Sequence, residues 1–494
     1  MQLSTIIKET MTLPVSLDRE IRRIVLDSRK IQPGDLFLAL KGTHLDGRQF
    51  IQDAISKGVT AILVDSDQSA DEVTLTSSVP IIPIRNLRNL VAVFAAHFYG
   101  DPAKKLRIIG VTGTNGKTSC THFFAQLLQL NHKKCGLIGT LGSGFYGALT
   151  DTGLTTPDAV TLQATLQEFL SLGAEAVAME VSSHSIDQGR VNHIDFDIGI
   201  FTNLTQDHLD YHGDMETYAA VKQRFFTEMP MKHAIINIDD AYGRRWIPTL
   251  DSSHSPLVYS VSVPVNLSAS IPCVYAENIQ LSLHGMIAQI HSPWGTATIT
   301  LPLIGQFNLS NVLAVLAAAC IYGISFDDVI GQLSQLKSVP GRMQMLGGKS
   351  NPLAVVDYAH TPDALEKVLQ ALRAHTSGKL ICVFGCGGDR DHGKRPIMAK
   401  IAEQWADKVI VTNDNPRTES PEEIAAQIMQ GFSRPELVSV ELDRSKAIEK
   451  SIQCATAKDC ILIAGKGAER YQQIGAEKFP FDDVEQVTNH LNGC

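Results

Sequence analysis

The chain has 494 residues, 44% of them hydrophobic and 19% charged, which is the composition of an ordinary folded protein and not of a disordered one. One core does not grow to that length, so about three domains are expected. The net charge of −9 comes without a basic block or stripe, which excludes a nucleic-acid partner and leaves any anionic substrate dependent on local positive groups.

The start, MQLSTIIKETMTLPVSL, lacks the basic lead and long apolar stretch of a signal peptide. Residues 24–26 and 35–40 read as strands, with Pro33-Gly34 turning between them. Residues 50–57 have helical spacing and 61–64 form another strand. A helix over 90–99 stops at Gly100-Asp101-Pro102, a boundary signal. Residues 106–111 open the next region as a buried strand, followed by a helical run over 120–130. Further buried strands are expected at 176–179, 198–201 and 234–237. The alternation points to a mostly parallel sheet covered by helices. Residues 258–303, richer in Val, Ile, Ser and Thr, suggest a small β insertion. The apolar run 312–324 is too short to span a bilayer and reads as a buried helix. After Val339-Pro340-Gly341-Arg342 the alternation restarts, with strands at 354–357, 380–384, 408–412 and 460–464.

The fold class expected is therefore α/β with three domains. These are a small α/β domain over 1–100, a central phosphate-loop domain with a mostly parallel sheet over 101–338, and a Rossmann-like domain over 339–494. Nine cysteines without a CxxC pair or a Cys/His cluster suit reduced thiols and a cytoplasmic location.

Gly113-Thr114-Asn115-Gly116-Lys117-Thr118, followed by Ser119, lies between a buried strand and a helix. Glycines let backbone N–H groups close round phosphate oxygens, and the helix start adds partial positive charge. Lys117 would reach the β- and γ-phosphates, and the Thr118 hydroxyl would face Mg²⁺. The motif departs from GxxxxGK[ST], because Val111 stands at the first glycine position and Gly110 one residue earlier. A carboxylate at a strand's C-terminal end is well placed for metal, which singles out Glu180 after the run 176–179.

GTNGKT is the form found in the Mur ligase and folylpolyglutamate synthetase superfamily. The chain resembles the Mur ligases that add the third peptide residue to a UDP-muramoyl-dipeptide. The resemblance runs from Asp27 to about Gln472, in order, through all three expected domains. It implies ATP as a substrate, UDP-N-acetylmuramoyl-L-alanyl-D-glutamate as acceptor, metal chemistry with two Mg²⁺, and a monomer without membrane insertion.

The resemblance also implies roles by position. Leu26, Ser28, Thr43, His44 and Leu45 would bind the uridine nucleotide. Thr155, Thr156, Ser182, Gln188 and Arg190 would bind the muramoyl-peptide, in a segment that departs from the family at Leu154. Thr118 and Glu180 would hold one Mg²⁺. His208 and Lys222, the latter carbamylated to N6-carboxylysine, would serve a second; Lys117, Lys222 and His208 are the catalytic set. Asn308 would contact adenine, although Ser310 or Asn311 could instead cap the following helix. Arg342, Asp357 and His360 would reach the nucleotide from the third domain.

The run Asp414-Asn415-Pro416-Arg417 is the form seen in members that add meso-diaminopimelate. That substrate differs from lysine by a carboxylate beside its distal amine, and arginine offers a planar fork for a carboxylate. Arg417 would take it, with Arg390 as helper. Gly465 and Glu469 would hold the distal end, in a motif where Ala468 replaces the family's histidine. The attacking amine must lose a proton, and His208 and His360 are the candidate bases. Closure of the third domain would exclude water from the acyl phosphate. A lysine-adding ligase, a folylpolyglutamate synthetase-like ligase, and a P-loop NTPase switch are the alternatives. The motif run from Glu180 to Lys222 favours a ligase over a switch or a scaffold without turnover.

Overall fold

The computed structural model describes residues 1–42, 46–66, 73–264, 271–348 and 350–492. The chain forms two compact units, Met1–Val258 and Tyr259–Cys494.

The first unit holds two sheets. The N-terminal sheet has the order Arg23–Val25, Asp35–Ala39, Ala61–Ser66, Val79–Arg85 and Thr74–Thr76, parallel except for the last strand. Its central strands are buried on both faces, which explains the unbroken apolar run from Leu36 to Ala39. Strand Val79–Arg85 alternates between half-buried and buried positions behind Pro80 and Pro83. Helix Leu87–Tyr99 covers one face of this sheet, and Ala159 and Val160 of helix Ala159–Ser171 join the same core.

The second sheet of this unit runs Met231–Asn237, Phe196–Phe201, Arg107–Thr112, Ala176–Glu180 and Cys135–Gly139, all parallel. A short antiparallel pair, Gly142–Phe145 and Ala148–Thr150, extends it. Arg107–Thr112 lies at the centre. The chain first leaves it toward Cys135–Gly139 and later crosses to Phe196–Phe201 on the other side. Such a switch in strand order opens a crevice beyond the strand ends.

In the second unit, strands Cys273–Ser282, Gly285–Ser292 and Gly295–Leu301 form an antiparallel meander, where the sequence suggested a β insertion. Helix Gln306–Tyr322 follows and is buried on nearly every side. It starts at Gly305, so Ser310 and Asn311 lie inside it and neither is its N-cap. The polar first turn made this segment read as a loop, but Asn308 is buried and its Nδ2 donates to the Ile304 carbonyl at 2.8 Å. A six-stranded sheet follows, in the order Gln344–Gly347, Leu353–Asp357, Cys460–Ala464, Leu380–Phe384, Lys408–Val411 and Ser439–Val440. All its pairings are parallel except the first. Alternate residues feed two cores. Val355, Leu462, Cys382 and Val411 meet Leu365, Leu369 and Met398 on one face. Val356, Ile461, Val383 and Ile410 meet Ala447, Ile448 and Val487 on the other. Helices therefore cover both faces, as parallel strands require.

Among the described residues no helix is long and apolar enough to cross a membrane, and the described cysteines are free thiols.

Candidate active site

In the first unit the functional residues follow the C-terminal ends of parallel strands. Strand Arg107–Thr112 leads into the glycine loop, and helix Lys117–Leu130 begins at its far end. The loop is stapled to the segment after strand Phe196–Phe201. Thr114 N donates to the Asn203 carbonyl at 2.8 Å, and Asn115 N donates to Asn203 Oδ1 at 3.0 Å. Thr202 Oγ1 donates to the Asn115 carbonyl at 2.6 Å. A Cβ on Gly113 would stand 2.0 Å from Thr202 Oγ1, so no larger residue fits there. Lys117 folds back over the loop, its Nζ donating to the Gly113 and Thr114 carbonyls at 2.8 Å each. Thr118 is buried in the first helical turn, where backbone N–H groups have no intrahelical acceptor.

Glu180 closes strand Ala176–Glu180 and is 1% exposed. Its Oε1 accepts from Thr140 N at 2.9 Å and its Oε2 from Thr140 Oγ1 at 3.1 Å. The Cys120 thiol is pushed up by burial and, further, by the Glu180 charge, so this carboxylate faces the first turn of the phosphate-loop helix. Among the described residues no lysine, arginine or histidine pairs with Glu180. A buried carboxylate with only neutral donors fits a cation. Glu180 and Thr118 would hold it.

Lys222 lies on helix Met215–Thr227 and is also 1% exposed. Its Nζ donates to the Gly113 carbonyl at 3.0 Å and lies 4.9 Å from the centre of the Tyr218 ring. Burial, helped by the Lys117 charge, pulls its ammonium well below the usual lysine range. His208 sits in a left-handed backbone conformation (φ 53°) just before helix Leu209–His212, with its side chain 47% exposed. Its ring meets His184 edge-on with centroids 4.9 Å apart.

Thr156, Ser182, Gln188 and Arg190 form one cluster. Thr156 Oγ1 donates to the Glu180 carbonyl at 2.7 Å and lies 3.4 Å from Ser182 Oγ. Arg190 Nη1 donates to the Thr156 carbonyl at 2.8 Å, while its Nε and Nη2 grip Gln188 Oε1 at 3.0 and 2.6 Å. Thr155 Oγ1 is 3.1 Å from Thr140 Oγ1, and Leu154 beside it is exposed. Ser28 is buried in a single helical turn and Leu26 packs at the edge of the N-terminal core. Thr43, His44 and Leu45 lie outside the described residues.

The second unit repeats the arrangement. Asp357 ends strand Leu353–Asp357, is buried, and accepts from Met343 N at 2.7 Å and Ala359 N at 2.9 Å. Burial pushes its carboxyl up, and the Arg342 charge opposes that. The Arg342 guanidinium lies 4.7 Å from the Tyr358 ring centre. His360 Nδ1 is 2.8 Å from the Tyr358 carbonyl, which can only accept, so its Nε2 carries the lone pair when the ring is neutral.

Asp414, Asn415, Pro416 and Arg417 follow strand Lys408–Val411, whereas Gly465 and Glu469 follow Cys460–Ala464. Asp414 is buried, and a Cβ on Gly465 would stand 2.5 Å from its Oδ2. Asn415 Nδ2 donates to Glu469 Oε2 at 2.9 Å. Lys466, 0% exposed, donates to Asn415 Oδ1 at 3.0 Å and Glu469 Oε2 at 3.3 Å. Arg417 has φ 51° and is pinned by backbone bonds to Gln473 and Gly475. Its Nη1 donates to the Gly388 carbonyl at 2.7 Å. A Cβ on Gly387 would stand 2.8 Å from Arg417 Nη1 and 3.8 Å from Arg390 Cγ, so both arginines lie beside this glycine. Arg390 itself is exposed.

The chain matches known proteins over nearly its whole length. Residues 20–99 match the family model "Mur ligase family, catalytic domain", 111–319 the "Mur ligase middle domain", and 341–467 the "Mur ligase, glutamate ligase domain". A Coxiella burnetii protein named UDP-N-acetylmuramoyl-L-alanyl-D-glutamate–2,6-diaminopimelate ligase is 48% identical over 477 residues, 97% of each chain. The chain belongs to the Mur ligase family. A Pseudomonas aeruginosa ligase of the same name is 48% identical over 474 residues, 96% of each chain. A solved structure of a ligase with that name has a TM-score of 0.72 at 37% identity, covering 96% of this chain and 95% of its own.

The fold is thus the three-domain Mur ligase fold, mixed α/β with mostly parallel sheets. Several residues of this Mur ligase escaped the sequence reading. Thr202, Asn203 and Thr140 hold the phosphate loop and Glu180, and Lys466 ties Asn415 to Glu469. Asn203 lies between Glu180 and Lys222 and Lys466 between Gly465 and Glu469, but their partners Asn115 and Asn415 are distant in sequence.

Proposed function

We propose that the chain is an ATP-dependent, ADP-forming ligase of peptidoglycan precursor synthesis. It joins meso-diaminopimelate to UDP-N-acetylmuramoyl-L-alanyl-D-glutamate. The observation that carries this reading is end-to-end identity of 48% with a ligase of that name. ATP and UDP-sugar nucleotides are cytoplasmic metabolites, and the reaction belongs there.

A carboxylate is a poor acyl donor, because it is anionic and would have to expel oxide. In the proposed reaction a glutamyl carboxylate oxygen attacks the γ-phosphorus of ATP, the bond to the β-phosphate oxygen breaks, and ADP leaves. The acyl phosphate that results is attacked by the neutral amine of diaminopimelate, and the tetrahedral adduct expels phosphate to leave an amide. The loop from Gly113 to Ser119 would cradle the phosphates, with Lys117 exchanging its own-loop carbonyls for phosphate oxygens. Asn308, Arg342, Asp357 and His360 would complete the nucleotide site. Leu26, Ser28, Thr155, Thr156, Ser182, Gln188 and Arg190 would seat the UDP-peptide.

Mg²⁺ bound by Thr118 and Glu180 would neutralise charge on the transferring phosphoryl group. A second Mg²⁺ at His208 would call for an anionic Lys222, because Mg²⁺ prefers oxygen ligands and a carbamate supplies them where an amine does not. Its burial supplies the means: a neutral amine attacks CO₂ at carbon, forms an N–C bond and releases a proton, leaving a carbamate. Activity should therefore fall by ~10²-fold or more in Lys222→Ala. Small carboxylic acids such as acetate should restore part of it, and ¹³C-labelled bicarbonate should give a carbamate NMR signal in the parent alone. Lys222→Ala with full activity would remove this role.

Selectivity would lie with Arg417 and Arg390 for the distal carboxylate, and with Asp414, Asn415, Pro416, Gly465 and Glu469 around the distal amine. Lys466→Met should leave Asn415 Oδ1 and Glu469 Oε2 short of a donor, at about 1–3 kcal/mol of stability. It should raise KM for diaminopimelate while KM for ATP stays unchanged. Equal increases in both would place Lys466 elsewhere in the mechanism.

The overall reading is tested by supplying the UDP-dipeptide with diaminopimelate, lysine or glutamate and following ADP release. With ¹⁸O in the acceptor carboxylate, label should appear in phosphate. Unlabelled phosphate would exclude the acyl phosphate, and ADP release without an amino acid would favour an NTPase.

A further inference from the structure

Away from these sites, separate segments of the first unit converge on one point. His97 lies near the end of helix Leu87–Tyr99, and Asp101 in the stop that follows. His193 lies in the loop before strand Phe196–Phe201, and Glu9 just beyond helix Leu3–Ile6. One ligand atom from each of His97, Asp101 and His193 lies within 4.8 Å of the other two. His193 Nε2 is 3.3 Å from Asp101 Oδ1, and His97 Nε2 is 3.2 Å from Glu9 Oε1.

The His97 ring is only 4% exposed, and its Nδ1 is 3.1 Å from the Ile6 carbonyl. A carbonyl can only accept, so Nδ1 carries a hydrogen. A neutral His97 then turns the Nε2 lone pair toward a carboxylate oxygen. Acceptor faces acceptor unless a proton or a metal ion lies between them. His193, with its hydrogen on Nε2, can donate to Asp101 Oδ1 while neutral. One divalent cation would take the place of both hydrogens and gather the two imidazoles round it.

The spacing suits the metal. Four-coordinate zinc, with ligands at about 2.0–2.1 Å, sets neighbouring ligand atoms ~3.3–3.4 Å apart. The His193–Asp101 separation of 3.3 Å matches that edge, and His97 offers a ring nitrogen within 4.8 Å of both. The bond from Nδ1–H to a backbone carbonyl is also the one that orients a metal-bound imidazole. Lys104 Nζ lies 3.2 Å from Asp101 Oδ1 and competes for that oxygen, but its side chain is 55% exposed and free to swing into water.

We propose that His97, Asp101 and His193 form a binding site for a zinc-class divalent cation, separate from the Mg²⁺ chemistry, and that the exposed Glu9 side chain turns in beside His97 as a fourth ligand. It would clamp the N-terminal segment, the junction after the first sheet and a loop of the second sheet.

The test uses the full chain with excess Mg²⁺ present, so that the phosphate-loop site does not report. Zn²⁺ bound at equilibrium dialysis and the visible spectrum of added Co²⁺ are read in the parent, Asp101→Asn, His193→Asn and Glu9→Gln. Asn tolerates the left-handed backbone at 101 and 193 (φ 52° and 59°), and Glu9 is more than half exposed, so these variants should fold. The expected result is one Zn²⁺ per parent chain, a four-coordinate Co²⁺ spectrum and a Zn²⁺-dependent rise in melting temperature. Binding should weaken tenfold or more in each variant. A parent that takes up no Zn²⁺ in excess Mg²⁺ would leave two proton-bridged contacts and overturn the proposal. So would equal uptake by the parent and all three variants. Neither readout depends on ligase activity.

Discussion

Lys117→Ala should reduce ADP release by at least ~10²–10³-fold, on the scale of removing one charged donor from a developing anion. The loop should survive the change. Its shape is set by Thr202, Asn203 and Thr205, which bond Thr114 and Asn115 without help from the lysine. Lys117 donates to the Gly113 and Thr114 carbonyls of its own loop and is partly exposed, so the melting temperature should move little. The measurement is a coupled ADP assay at saturating substrates beside thermal denaturation. Turnover within tenfold of the parent would mean that phosphoryl transfer is managed elsewhere.

The second large effect is expected at Arg417. Removing one member of a desolvated charge pair costs roughly 2–5 kcal/mol, which is ~30- to ~5000-fold in kcat/KM. Arg417→Ala should lose that much with diaminopimelate, mostly through KM. It should lose far less with lysine, which brings no distal carboxylate. The ratio of the two kcat/KM values therefore carries the test. Arg417 Nη1 is already committed to the Gly388 carbonyl, so the variant also frees one backbone acceptor. Gly388→Ala is a poor control, since its Cβ would stand 1.9 Å from the Pro416 carbonyl. Arg390→Ala is the better one: that side chain is exposed and should cost less. An unchanged substrate ratio in Arg417→Ala would remove the assignment.

Much of this was legible because local signals agreed with the fold. The strand, glycine loop and helix around Lys117 are contiguous, and the run Ala176 to Met179 announces a buried strand that delivers Glu180. What stayed hidden depends on distant partners. Strand Val79–Arg85 was masked by Pro80 and Pro83, which read as breakers. Arg190 alone looks like a solvated arginine. Its bond to the Thr156 carbonyl, 34 residues away, is what half-buries it. Lys222 alone looks like a surface lysine. A signal was present, since Tyr218 and Phe226, four residues to either side, are both buried and mark the inner face of that helix. Helix Gln306–Tyr322 was placed too late because its first turn is polar, and burial of Asn308 against Ile304 outweighs that polarity.

The left-handed backbone at Arg417 limits which mutational routes are open to this pocket. Valine, isoleucine or threonine would meet steric cost from the main chain before any question of charge arose. A lineage drifting toward an uncharged distal group would pass more easily through asparagine or glycine, or would have to rebuild the contacts with Gln473 and Gly475 first. On the proposed role of Arg417, amino-acid choice is inherited with a backbone shape, and a single side-chain exchange should seldom be enough to convert it.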